Sequence, residues 1–262
     1  MERYLKTNNK VALKSPDHLN PWGTKRDLSR QLRFESKLCK YMEFKKFNSI
    51  LDLGCSGGAF ISNMHNLGYL AIGLEGSDFS MKNRRGPWAY LSNFVLFTCD
   101  ITKPFKIFTE SSSKNYKTDV ITSFEVLEHL KEKEIEQLFK NIENHSHKNT
   151  KLIFSISTND DYVNGVNLHQ TVKPKDWWIK KFKNLGYIEC SKSQTYFNGQ
   201  YLRGNKFNAI GSFELVLKHE KDKDNEFPKL NILDKIYDYY AGSKIQKIIY
   251  KLVHSDSLYN SY

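Results

Sequence analysis

The sequence predicts a doubly wound α/β fold built on a mainly parallel, seven-stranded sheet. Three observations lead there. Short apolar runs alternate along the chain with helical patterns. The run Ile50-Leu51-Asp52-Leu53 enters a glycine-rich turn, Gly54-Cys55-Ser56-Gly57-Gly58, and a helical pattern follows at once. Acidic residues stand after three later runs, at Glu75, Asp100 and Glu125. Polar groups thus gather at one edge of the sheet, the edge where open α/β sheets bind ligands.

Length and charge bound the answer. A chain of 262 residues is long enough for a full core with an appendage. No apolar stretch reaches transmembrane length, and the N-terminal residues lack the apolar core of a signal peptide. Cys39, Cys55, Cys99 and Cys190 form no C-x-x-C pair, which fits a reduced, cytoplasmic protein without structural zinc. The net charge of +11 is uneven. Residues 1–49 carry 12 basic and 5 acidic side chains and residues 151–221 carry 11 and 6, while 50–150 carry 11 and 12. The basic flanks suit an anionic acceptor, or they merely keep the protein soluble.

Taken in order, residues 1–44 form an N-terminal arm and helix. The first 30 are polar, hold Pro16, Pro21 and Gly23, and lack periodicity, so a loop is expected and no strand or helix. A helix is expected over 28–44. His18 and Trp22 in the arm are candidates to meet an acceptor if the arm closes as a lid; the alternative is a solvated tail.

Residues 45–221 form the main domain. Phe60, Met64 and Leu67 recur at helical spacing up to Gly68, and a second strand follows over 69–74. A basic turn then leads to Trp88. Further strands are expected over 94–99, 119–124 and 152–156, with Ile135, Leu138, Phe139 and Ile142 facing inward from a helix between the last two. A helix over 176–185 and strands over 187–190 and 212–217 complete the sheet.

Residues 222–262 form a C-terminal helical extension. Leu233, Ile236, Tyr237 and Tyr240, then Ile245, Ile248, Ile249 and Leu252, make two apolar stripes broken at Gly242. A helical pair packed on the domain or on a partner is expected. The polar face is not notably basic, which argues against a membrane anchor.

Over residues 45–220 this Rossmann-like order resembles the class I S-adenosylmethionine (SAM)-dependent methyltransferases. Their first motif is acid-x-G-x-G-x-G; Asp52, Gly54 and Gly58 match it, and Ser56 replaces the middle glycine. The resemblance implies SAM as cofactor, with the turn through Cys55 and Ser56 at its amino-acid part. Glu75 would hold the ribose hydroxyls. Asp100 would accept a hydrogen bond from the adenine amine, with Ile101 against the ring. Gly76, Phe124 and Glu125 complete the implied set. A carboxylate, which only accepts, suits a diol or an exocyclic amine.

Glu125-x-x-Glu128-His129 is the sharper clue. If a helix begins near Leu127, these residues project to one side. The motif resembles the E-x-x-E-H of the ubiquinone-biosynthesis O-methyltransferases and of the small-RNA 3′-end 2′-O-methyltransferases. Those families carry a further histidine after the fifth strand, which His169 would supply here. Glu125, Glu128, His129 and His169 would suit a divalent metal (Mn²⁺, Zn²⁺ or, less naturally, Mg²⁺). The alternative is a metal-free site in which acids simply favour a helix N-terminus. For proton removal His169 is the first choice and His129 the second.

The function expected is O-methyl transfer to a hydroxyl of a sugar, a glycan or another small molecule. His18, Trp22, Trp88, Tyr201 and Arg203 are the candidates to contact it. RNA 2′-O-methylation is the weaker alternative, because no extended Lys/Arg stripe interleaved with aromatics occurs. A SAM-binding scaffold without activity is the third, and it would not need the Glu/His cluster.

Overall fold

The computed structural model describes residues 3–28, 31–110, 112, 114–190, 192–197, 200, 211–223 and 226–240. The strands are β1 (Arg3–Thr7), β2 (Ser49–Leu53), β3 (Leu70–Glu75), β4 (Leu96–Thr98), β5 (Phe105–Thr109), β6 (Thr118–Phe124), β7 (Ser146–Ile156), β8 (Tyr162–Val163), β9 (Val166–Asn167), β10 (Tyr187–Glu189) and β11 (Phe213–His219). The helices are α1 (Pro16–Leu19), α2 (Trp22–Arg26), α3 (Leu32–Lys45), α4 (Ala59–Asn66), α5 (Phe79–Lys82), α6 (Trp88–Leu91), α7 (Glu132–His145), α8 (Lys175–Asn184), α9 (Ser193–Phe197) and α10 (Ile232–Tyr240).

Seven strands form the central sheet in the order β10-β11-β7-β6-β2-β3-β4. The five from β7 to β4 are parallel, and β11 and β10 add antiparallel pairs at one edge. The fold is thus the mainly parallel α/β sheet expected. Its central strands carry apolar residues on both faces because both are covered, and the buried exceptions Asp52, Thr122 and Ser123 are hydrogen-bonded within the sheet. Leu51, Leu53, Ile72 and Ile121 point into one core, closed by Leu138 and Phe139 of α7 and Trp178 and Phe182 of α8. Ile50, Ala71, Val120 and Ile153 point into the other, closed by Phe34, Leu38 and Met42 of α3 and Ile61 and Met64 of α4. Successive strand residues alternate faces, which is why one run feeds two cores.

Four local expectations need correction. The arm is not a plain loop: β1 pairs antiparallel with β5, from Arg3 opposite Thr109 to Thr7 opposite Phe105, and α1 and α2 follow as single turns. That pairing spans a hundred residues and leaves no local signal. The hairpin β8–β9 was not expected either; it turns on Asn164 and Gly165, both at positive φ.

The third correction concerns Glu125. Helix α7 begins only at Glu132, where the Glu134 Oε2 accepts a hydrogen bond from the Lys131 N–H at 2.9 Å. Leu127–His129 is one 3₁₀ turn, and Glu125 precedes it at φ +53°. No helix face carries the E-x-x-E-H residues.

The fourth is α10, whose apolar stripe faces outward while Asp234 and Asp238 face the domain. Residues 241–262, with Gly242 and the second stripe, and the acceptor candidates Tyr201 and Arg203 lie outside the described residues. Among the described residues, no helix is long and apolar enough to cross a membrane.

Candidate functional site

The glycine turn leaves β2 and opens α4. Gly54 and Gly58 have φ of +80° and +77°, a region costly for any side chain. Neither has room for one: a Cβ on Gly54 would collide with Val126, and on Gly58 it would lie 2.6 Å from Leu96 Cδ1. Ser56 also has positive φ, +49°, where the family motif has glycine. It is held from both sides. Its N–H donates to Glu75 Oε2 at 2.6 Å, and its carbonyl accepts from the Trp88 indole N–H at 2.8 Å. Trp88 is fully buried. It therefore braces the turn from beneath and does not face an acceptor, which corrects that expectation.

Beside the turn lies a cleft of about 1270 Å³. Gly54, Ser56, Glu75, Gly76, Asp100, Ile101 and Glu125 line it, as do His18, Trp22, His129 and His169. Glu75 Oε1 accepts the Ser77 N–H at 3.0 Å, so each carboxylate oxygen accepts a backbone N–H, and the carboxylate is held at the cleft wall. Asp100 Oδ1 accepts the Thr102 N–H at 3.0 Å and its hydroxyl at 2.6 Å, which fixes the carboxylate at the cleft wall.

Other members of the implied cofactor set stand elsewhere. Asp52 is buried under the turn, its Oδ1 accepting from the Thr122 hydroxyl at 2.7 Å. Cys55, Gly58 and Phe124 line a small adjoining pocket with Leu28 and Phe34. Phe124 packs edge-on against Phe34 and Phe60, which makes it a core residue.

The arm roofs the cleft. The Asn9 carbonyl accepts the Asp100 N–H, and the Ala12 N–H donates to the Gly76 carbonyl, both at 2.9 Å. Farther on, a Cβ on Gly57 would collide with the Asp27 carbonyl, so the arm lies directly on the turn. Arg85 fastens it from outside by donating to the Thr24 carbonyl. His18 and Trp22 accordingly reach the cleft; the His18 Nδ1 is buried with no partner among the described residues, and the Arg26 guanidinium stacks 3.4 Å from the Trp22 ring centroid.

The two histidines meet here. Their rings stand edge to face, 89° apart, with centroids at 4.5 Å. His129 Nδ1 lies 2.7 Å from Asp17 Oδ2. Burial opposes a charge on His129, but the bond to Asp17 and the charges of Asp17, Glu128 and Asp161 outweigh it and push its pKa up to about 9. His169 goes the other way: burial first, then the His129 charge, lower its pKa. Its Nδ1 bonds the Asn159 carbonyl, which leaves Nε2 as the acceptor.

Glu128, fully buried, lies next to the pair; its Oε1 accepts the Ser157 N–H at 2.9 Å, while its Oε2 has no partner among the described residues. Burial and then the nearby Glu125 charge push its pKa up to about 8. Ligating atoms of Glu128, His129 and His169 all lie within 4.8 Å of one another. Glu125 stands outside that group, its Oε2 accepting from the Ser212 hydroxyl at 2.8 Å.

Sequence reasoning missed Asn9, Ala12 and Asp17, which join the arm to the cleft. It also missed Lys14, Lys103, Lys131 and Lys133 on the rim. Nothing in one dimension pairs Asp17 with His129. Lys131 and Lys133 did carry a signal, since they directly follow the E-x-x-E-H motif.

A glycine turn under a roofed cleft, with acids at successive parallel strand ends, defines a class I SAM-dependent methyltransferase domain. The chain belongs to the methyltransferase domain family, whose model matches residues 24–205. Solved structures share the fold. The PH0226 protein from Pyrococcus horikoshii OT3 is 16% identical with a TM-score of 0.52, the match covering 78% of this chain and 98% of that one. The DhpI–SAH complex is 11% identical with a TM-score of 0.50, covering 82% and 100%. Among curated proteins no sequence matches.

Proposed function

We propose that this methyltransferase is an O-methyltransferase acting on a hydroxyl of a small anionic acceptor, in the first place a sugar or glycan unit. His169 is its general base. The observation that carries the reading is the edge-to-face pair of His129 and His169 in the roofed cleft, where burial and the contact with Asp17 move their pKa values in opposite directions, up to about 9 for His129 and downward for His169.

SAM, when bound, supplies an electrophilic methyl group on a sulfonium. The residues present fit it: Gly54, Ser56 and Gly76 line the cleft beside the carboxylates of Glu75 and Asp100. Glu75 would accept from ribose hydroxyls, and Asp100 from an amine with Ile101 beside it. His169 takes the acceptor proton at Nε2, its Nδ1 being fixed on Asn159. The His129 charge favours negative charge developing on the acceptor oxygen. The arm, within residues 1–44, excludes water as lid and acceptor side; residues 45–221 are the methyltransferase domain and 222–262 an extension. Lys14, Lys103, Lys131 and Lys133 on the rim have no ion-pair partner among the described residues and suit an acceptor phosphate or carboxylate.

A metal-assisted variant has its own support in the unpartnered buried Glu128 Oε2. Glu128, His129 and His169 would hold Mn²⁺, Zn²⁺ or Mg²⁺, with Asp17 and Asn159 orienting the imidazoles from behind. Such an ion lowers the pKa of a hydroxyl. Glu125 would join only after leaving Ser212.

The test is methyl transfer across sugar nucleotides, glycolipids, quinol precursors and RNA, with mass detection of the product. A small hydroxylated acceptor should turn over with modest salt dependence. Efficient methylation of an RNA 3′ end, with affinity falling at a log–log slope of about −0.7 per phosphate engaged, would replace this reading with the RNA one.

A further inference from the structure

Helix α10 is mounted in the reverse of the usual sense for a domain helix, whose apolar stripe faces the core. Its inward residues are Asp234 and Asp238. Arg33 Nη2 lies 2.9 Å from Asp234 Oδ1 and 3.0 Å from Asp238 Oδ1, and Lys40 Nζ lies 3.5 Å from Asp234. The buried Lys37 ammonium bonds both Asp238 and the Tyr196 carbonyl. An ionic lattice on α3 thus holds α10 with Ile232, Leu233, Ile236 and Tyr237 outward, 74%, 72%, 60% and 50% exposed. The patch continues along α3: Arg33 lies 4.9 Å from the Tyr237 ring, and the neighbouring Leu32 is 67% exposed.

The same mounting uncovers a charge. Residues 222–262 hold six basic and six acidic side chains and read as neutral. Yet Asp234 and Asp238 are turned inward, and Asp222 is buried, its Oδ2 accepting the Asn149 N–H at 3.0 Å. Among the described residues of this stretch, the exposed cations Lys223, Lys229 and Lys235 then stand against one exposed acid, Glu226. Beyond α10 the sequence interleaves Lys244, Lys247 and Lys251 with Ile245, Ile248, Ile249 and Leu252.

We infer that the outward face of α10 is a membrane-contact surface that seats on an anionic lipid bilayer. Large exposed apolar side chains accompanied by exposed lysines in the same segment fit the boundary between acyl chains and anionic headgroups. A second copy of the chain, net charge +11, would bring like charges together at the same face. This surface lies outside the cleft, so the inference does not rest on the reaction proposed above.

The experiment is co-flotation of the full chain with phosphatidylcholine vesicles and with vesicles that also contain phosphatidylglycerol, alongside sedimentation velocity without lipid. The expected result is roughly tenfold or greater preference for the anionic vesicles, weakened by salt. The double variant Ile236→Glu/Tyr237→Glu, at exposed positions, should lose most of that binding while retaining its far-UV circular dichroism. Three results would overturn the inference: no binding to anionic vesicles, undiminished binding by the double variant, or a lipid-free dimer that the double variant dissociates.

Discussion

Asp17 and His129, 112 positions apart in sequence, lie 2.7 Å apart and pin the roof of the cleft to its floor. The carboxylate comes from α1 in the arm, the imidazole from the 3₁₀ turn after β6. The contact fixes the position of the arm and supports the charge on His129, which adds to burial in lowering the pKa of His169.

Breaking it should show in the pH dependence of stability. The folded-state pKa of His129 is raised to about 9, above its ordinary 6.5. The stabilisation is therefore fully present below about pH 6.5 and is lost as pH rises through 9. Asp17→Asn should lower stability by about 1–3 kcal/mol near pH 6. The difference from wild type should shrink above pH 9. Denaturant unfolding at several pH values checks this, and a pH-independent difference would detach Asp17 from the histidine.

The glycine turn offers a paired test. Ser56→Gly removes a side chain from positive φ and should leave stability unchanged or raise it by up to about 1 kcal/mol. Gly54→Ala meets both the forbidden φ and Val126, and should cost about 1–3 kcal/mol. Thermal unfolding of the two variants should move in opposite directions or, for Ser56→Gly, not at all.

Glu75 and Asp100 line the cleft and are the proposed contacts to the cofactor. Calorimetry should show SAM binding weakened by roughly 1–3 kcal/mol in Asp100→Ala and in Glu75→Ala. Glu75→Ala also frees the Ser56 and Ser77 N–H groups, so its effect includes a loosened turn. Undiminished binding in both variants would remove these residues from the cofactor site.

The sheet was legible in sequence because both faces of its central strands are buried and each of these strands carries a short apolar run. The acids at strand ends were legible for a related reason: a charge directly after such a run can only sit at the sheet edge. What sequence could not supply was depth. Asp52, Phe124 and Trp88 look like site residues by position, yet they sit under the turn or in the core. The arm was opaque too, since β1 is defined by a partner strand a hundred residues away. Glu125 was misplaced because a positive-φ residue and a 3₁₀ turn interrupt what periodicity suggests is one helix.

Metal is settled by removal. If Glu128, His129 and His169 bind a divalent ion during turnover, exhaustive chelation should abolish activity and added Mn²⁺ should restore it. Full activity after chelation, with no metal found by elemental analysis, leaves the histidines as acid–base groups alone.

The most direct test of the central claim is kcat/KM against pH for methyl transfer to the small acceptor, in the wild type and in His169→Gln. With His169 as base, the wild-type rate should rise with pH through a value below the ordinary histidine pKa of 6.5. It should fall again near pH 9 as His129 loses its charge. His169→Gln should lose roughly 100-fold or more in kcat, abolish the rising limb and keep its affinity for SAM. A pH-independent wild-type rate, or a His169→Gln variant with undiminished kcat, would contradict the account.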